Sequence, residues 1–172
     1  KHKSETLQLT RRLLTQEDVT SSAEGAASWK EKYDALLAEL EQNPGKMKEN
    51  RWYRDITQAY GRYRWYEGVS ERFQLEKTQK TVPIEVHVLR LGDVALATNP
   101  FELYLDYGVR MKAQSPAVQT FVVQLTGGGS YVPTKRSIQG GAYGAVASST
   151  LIGPEGGQEL VEGTLRLINS MW

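Results

Sequence analysis

The order of elements predicts an α/β chain of layered sheet and helix, with an aromatic-rich helical segment on its N-terminal side. Three observations carry this expectation. Residues 84–97 hold β-rich runs, with Ile84, Val86 and Val88 alternating against Glu85 and His87. Helical and extended patterns then alternate to the end of the chain, as in layered α/β architectures. Ahead of them lie two stretches with helical periodicity and almost no strand signal. The expected division is a mainly helical lead-in over 1–80 and an α/β portion over 81–172, together forming one structural domain.

Taking the chain in order, Leu7 and Leu9 alternate as in a short strand, and Thr15 with Asp18 can start a helix through a capping box. Trp29, Tyr33, Leu36, Leu37 and Leu40 follow at helical spacing, with Ser28 as a fitting N-cap and Asn43-Pro44-Gly45 as the stop. A second helix is expected over 48–75, weakened at Gly61 and Gly68, with a break near Gly68. Its aromatics, from Trp52 to Phe73, are interleaved with Arg51, Arg54, Arg62, Arg64 and Arg72. Such interleaving can mark a single-strand nucleic-acid surface. It also suits a helix whose rings pack on a sheet and whose arginines pair with Asp55, Glu67 and Glu71. With a net charge of +1 and no nucleic-acid motif, the expectation is the packing helix and no nucleic-acid partner.

Gly92-Asp93 between two β-rich runs reads as a hairpin. Residues 101–113 read as a helix stopped by Ser115-Pro116, and 119–125 as a buried-type strand. Thr126 to Ser130 is a glycine turn, 140–150 a flexible loop, and Pro154 opens the last helix.

Composition removes several classes of chemistry. At 172 residues, 40% hydrophobic and 24% charged, the chain is ordinary for a folded protein. It has no cysteine, so disulfides, thiolate zinc sites and a cysteine nucleophile are absent. No apolar run reaches the roughly 18 to 20 residues of a membrane helix. The opening Lys1-His2-Lys3 has no initiator methionine or signal segment, which suggests a chain cut from something longer. The two histidines, His2 and His87, lie far apart in sequence, and since a zinc hydrolase usually uses two or three together, this chain alone is short of ligands. His87 falls on the polar face of its alternation, where a lone imidazole is either a ligand or simply solvated. Gly127-Gly128-Gly129-Ser130 lacks the Lys-Ser/Thr of a phosphate loop, Ser130 is not in a G-x-S-x-G elbow, and there is no HExxH.

Asn99-Pro100-Phe101-Glu102 admits two readings. Asn suits an N-cap, Pro the first helical position, and Glu the N3 position of a capping box. A carboxylate there, just beyond a strand, also sits where α/β sheets bind ligands and where the helix dipole keeps it ionised.

The series Leu89-Arg90-Leu91-Gly92-Asp93-Val94-Ala95-Leu96, Asn99-Pro100-Phe101-Glu102, Ser115-Pro116, Thr120-Phe121-Val122-Val123, Ser130-Tyr131-Val132-Pro133-Thr134-Lys135-Arg136 and Gly140-Gly141-Ala142-Tyr143 resembles the neutral/alkaline (non-lysosomal) ceramidase family. The resemblance covers about 82–168 and is loose before it. It implies the C-terminal portion of a larger catalytic domain, in a zinc-dependent amide hydrolase acting on a ceramide-like lipid amide. It further implies that the enzyme is exported, to a secreted, periplasmic or cell-surface location, with room for peripheral membrane contact. Members bind one zinc through two histidines, a glutamate and a tyrosine. By motif the glutamate is Glu102 and the tyrosine Tyr131, which also carry the catalytic roles, Tyr131 steadying the developing oxyanion. The two histidines belong to the N-terminal half of the protein, the implied partner of this chain. Tyr143, Phe101, Thr134 and Arg136 take substrate-side or supporting positions. The family's Pro-Gly-Glu is Pro100-Phe101-Glu102 here, so a bulky Phe101 beside the metal is expected to reshape the acyl pocket. The acidic residue after the family's Gly-Gly-Tyr is replaced by Gly144. The alternative reading is a non-catalytic or degenerate homologue, acting as a binding or structural domain through Trp52 to Tyr66.

Overall fold

A computed structural model describes residues 1–172 and divides them into two compact units, Lys1–Leu13 with Thr78–Trp172, and Leu14–Lys77. The first unit is a layered α/β fold, as the sequence predicts.

Its sheet has the order β1 (His2–Thr10), β2 (Thr81–Leu91), β3 (Val94–Thr98), β5 (Gln119–Val123). The first three strands are antiparallel, and β3 with β5 is parallel. The β2–β3 hairpin turns at Gly92-Asp93, where the sequence places it. A parallel pair requires a crossover, and α3 (Leu105–Gln114) supplies it. The α/β unit therefore reaches back to the first residues of the chain. β1 is paired along its whole length with β2, from His2↔Leu89 to Thr10↔Thr81. The short strand expected at Leu7 and Leu9 is β1, and its pairing with β2 places residues 1–13 with the α/β unit.

One face of the sheet carries the core. Leu7, Leu9, Val86, Val88, Ala95 and Ala97 alternate inward along their strands and meet Tyr107 and Met111 of α3. The last helix, α5 (Pro154–Asn169), covers the same face with Leu160, Val161, Leu165 and Ile168. Full burial of each such aliphatic side chain contributes about 2 kcal/mol. Pro154 stands at the helix start as expected. Glu159 of α5 also accepts hydrogen bonds from the backbone N–H (2.6 Å) and hydroxyl (2.7 Å) of Thr10, fixing the end of β1.

The second unit is a helical hairpin of α1 (Gln16–Gln42) and α2 (Tyr53–Leu75), joined through a short 3-10 turn at Pro44–Lys48. The Thr15/Asp18 capping box starts α1, and the chain runs through Ser28 without a break. Ser28 as N-cap is thus corrected. The small residues before it are helical because they let α2 approach, and Gly25 lies against the Tyr66 ring. α2 is also continuous through Gly68, contrary to the expected break. The expected packing of the α2 aromatics on a sheet is corrected: Tyr63, Trp65, Tyr66 and Phe73 are half-buried in a unit that has no sheet, Tyr53 and Tyr60 are exposed, and Tyr60 lies 5.3 Å from Tyr33 of α1. Arg64 pairs with Glu67 and Glu71, and Arg62 lies over the Trp65 ring at 5.0 Å. No helix of either unit is long and apolar enough to cross a membrane.

Candidate functional site

Beyond the C-terminal ends of β3 and β5 the chain makes a second, two-stranded parallel sheet from β4 (Glu102–Leu103) and β6 (Tyr131–Val132). Its register pairs Glu102 with Tyr131 and Leu103 with Val132. Register partners on neighbouring strands project to the same face, which sets the Tyr131 phenol beside the Glu102 carboxylate. The Glu102 carboxylate raises the Tyr131 pKa above the ordinary phenol value, helped by partial burial and by the nearby Tyr143 and Tyr104 phenols. The two residues singled out as metal ligands from the sequence are therefore neighbours in space.

Glu102 is not in the first turn of a helix. The helix begins at Leu105, so Asn99 is no N-cap, Pro100 is not at N1, and no helix dipole acts on Glu102 as N3. The backbone donors that a cap would satisfy find other partners. The N–H of Phe101 bonds to the buried Asn99 Oδ1 (3.0 Å), that of Glu102 to the Ser130 carbonyl (3.1 Å), and that of Tyr104 to the Val132 carbonyl (3.3 Å). A local Asn turn followed by strand pairing has won over the capping box.

Two glycines make the pairing feasible. Gly129 passes so close to Pro100 that a Cβ there would lie 1.7 Å from the Pro100 carbonyl oxygen. Only a residue without a side chain lets the chain enter β6 alongside β4. Gly144 is buried beneath the Tyr131 ring, where a Cβ would be 2.7 Å from Tyr131 Cδ1 and 3.2 Å from the Tyr104 hydroxyl. On its other side Tyr131 bridges to Thr150, and Ser130 Oγ accepts the Leu151 N–H at 2.8 Å. Residues 140–150 are accordingly no flexible loop. Two 3-10 turns, Tyr143–Ala145 and Ala147–Ser149, bury Ala145, Ala147, Ser149 and Thr150 behind the tyrosine.

Tyr143 reaches the site: its ring meets that of Tyr131 edge-on at 6.1 Å and remains 60% exposed. Phe101 does not. It is fully buried in the core, facing away from its exposed neighbour Glu102, so the expectation of a bulky side chain narrowing an acyl pocket is corrected. Thr134 is the N-cap of the short helix α4 (Lys135–Gln139), in a capping box with Ser137. Arg136 is spent on an exposed ion pair with Asp106 (3.3 Å). Tyr107 supports the segment from below, its hydroxyl donating to the Pro133 carbonyl at 2.7 Å; burial pushes its pKa up to about 12. Tyr104 was not singled out from the sequence. Glu102-x-Tyr104 has strand spacing, and reading β4 as a strand would have placed both on one side.

The donor set fits zinc in part. A carboxylate and a phenol side by side are oxygen ligands such an ion accepts, but catalytic zinc generally has three protein ligands. No group of three or more His, Cys, Asp or Glu side chains comes together in the chain to hold a metal ion, and neither histidine joins Glu102. No family model, curated protein or solved structure matches the chain.

Proposed function

We propose that this chain supplies the glutamate and tyrosine half of a zinc site in a ceramidase-like amide hydrolase, with a ceramide-like lipid amide as substrate. The observation that carries the reading is the register pairing of Glu102 with Tyr131. Two residues 29 positions apart in sequence, both singled out by motif, are register partners on one face of a sheet. The remaining ligands would be two imidazoles from the N-terminal half of the protein. The expected extracellular or periplasmic setting goes with this reading.

Bound zinc would supply an activated water, its pKa lowered to about 7, and polarisation of the carbonyl under attack. The residues of this chain do the rest. Glu102 provides a carboxylate fixed by strand pairing rather than by a flexible loop. Tyr131, seated on Gly144, presents its hydroxyl beside that carboxylate as a ligand or as a donor to the developing oxyanion. Tyr143, exposed and edge-on to Tyr131, is placed to contact the substrate.

The test is made in the protein that joins this chain to its histidine-bearing half. Glu102→Gln and Tyr131→Phe should each lower amide hydrolysis of a ceramide-like substrate by about 100-fold or more, with the fold intact. Folded wild-type protein with neither zinc nor activity would instead mark a non-catalytic relative.

A further inference from the structure

We propose that His2 and His87 form a second, independent metal site, selective for borderline divalent ions such as zinc, nickel and copper. They are the only histidines in the chain. Antiparallel pairing of β1 with β2 sets His2 opposite Leu89 and Ser4 opposite His87, which makes the histidines diagonal neighbours on one face of the sheet. Their ring nitrogens, His2 Nε2 and His87 Nδ1, are 3.1 Å apart, with ring planes 16° from parallel.

That separation suits a shared ion. Two nitrogens bonded to zinc at about 2.0–2.1 Å, at right to tetrahedral angles, lie roughly 2.9–3.4 Å apart. In the metal-free pair one N–H bridges the two nitrogens. A modest tilt of two exposed rings replaces that proton with an ion, and water fills the outward positions. Glu85, two residues from His87 on the same face of β2, places Oε1 3.8 Å from His87 Nε2. At that distance the carboxylate adds negative charge beside the imidazole pair, which favours a bound cation. The strand itself is anchored at this point, since the His87 N–H donates to Thr98 Oγ1 at 3.2 Å. Imidazole nitrogens favour zinc, nickel and copper over magnesium or calcium.

The site does not rest on the catalytic reading, and the two are separable. The 172-residue chain is titrated with zinc, and with magnesium as a control, by calorimetry and by the NMR signals of the two imidazole rings. One zinc per chain is expected, with both rings shifting together and no response to magnesium. His2→Ala or His87→Gln should each weaken binding by about tenfold or more. Glu85→Gln should weaken it by about tenfold. Glu102→Gln and Tyr131→Phe should leave it unchanged. Circular dichroism confirms the fold of each variant, and His2 and His87 provide two separate ways of removing a ligand. Ring signals unmoved by about 1 mM zinc, or zinc affinity equal in wild type and both histidine variants, would overturn the proposal.

Discussion

Two side-chain pairs in the α/β unit are made by strand pairing, and they differ in how they are held. Glu102 and Tyr131 are register partners on parallel strands of two residues each, a sheet too short to stand alone. They persist because the surroundings leave no other arrangement: Gly129 lies on Pro100, Gly144 lies under the Tyr131 ring, and Thr150 bridges from behind. His2 and His87 sit diagonally on long, fully paired antiparallel strands, with His2 exposed and His87 half-exposed. The first pair is positioned by close packing and the second by ladder geometry alone. Substitutions around the first should therefore cost stability, whereas those at the second should cost only ligand binding.

The largest effect should come from Gly129→Ala. A Cβ 1.7 Å from the Pro100 carbonyl forces the backbone apart, and a loss of about 3 kcal/mol or more is expected in urea unfolding. Next is the alkaline behaviour of Tyr107. Its folded pKa of about 12 lies above the unfolded phenol value, so the folded state holds the extra proton. That contribution is fully present below pH 10 and is lost as pH rises through 12, by about 2 kcal/mol in all. Tyr107→Phe should flatten this alkaline loss while removing the hydrogen bond to Pro133, which pH-dependent unfolding curves would show. Gly144→Ala should cost about 1–2 kcal/mol and displace the Tyr131 ring, visible in its NMR signals. At the histidine pair, His2→Ala should change stability by less than about 0.5 kcal/mol. A loss there as large as that of Gly129→Ala would erase the contrast. The finest probe is the Tyr131 pKa. Glu102→Gln should lower it toward the ordinary phenol value, as followed by ultraviolet titration, because the carboxylate acceptor is its largest cause.

The large elements were legible in the sequence because they repeat a period. The alternation of Ile84, Val86 and Val88, the turn at Gly92-Asp93, and Pro154 ahead of an apolar helix each state their structure locally. β4 was not legible. Two residues carry no period, and Asn99-Pro100-Phe101-Glu102 matches a helix start residue for residue until β6 arrives to take its backbone donors. The same long-range pairing hid the two geometric facts that matter most. Nothing local to Glu102 or Tyr131 announces that they meet, and nothing local to His2 announces His87. The glycines were visible as a bend, but the reason for Gly129 is a carbonyl of a distant residue. Phe101 was misplaced for a related reason: its neighbour's role was read onto it, although successive strand residues face opposite ways.

The central claim, that Glu102 and Tyr131 are half of a zinc site, is tested most directly by metal content. The measurement is made in the complete protein, in a His87→Ala background so that the sheet histidines contribute no zinc. One zinc per molecule in that background and a large loss on adding Glu102→Gln is the predicted result. Zinc content unchanged by Glu102→Gln would contradict it.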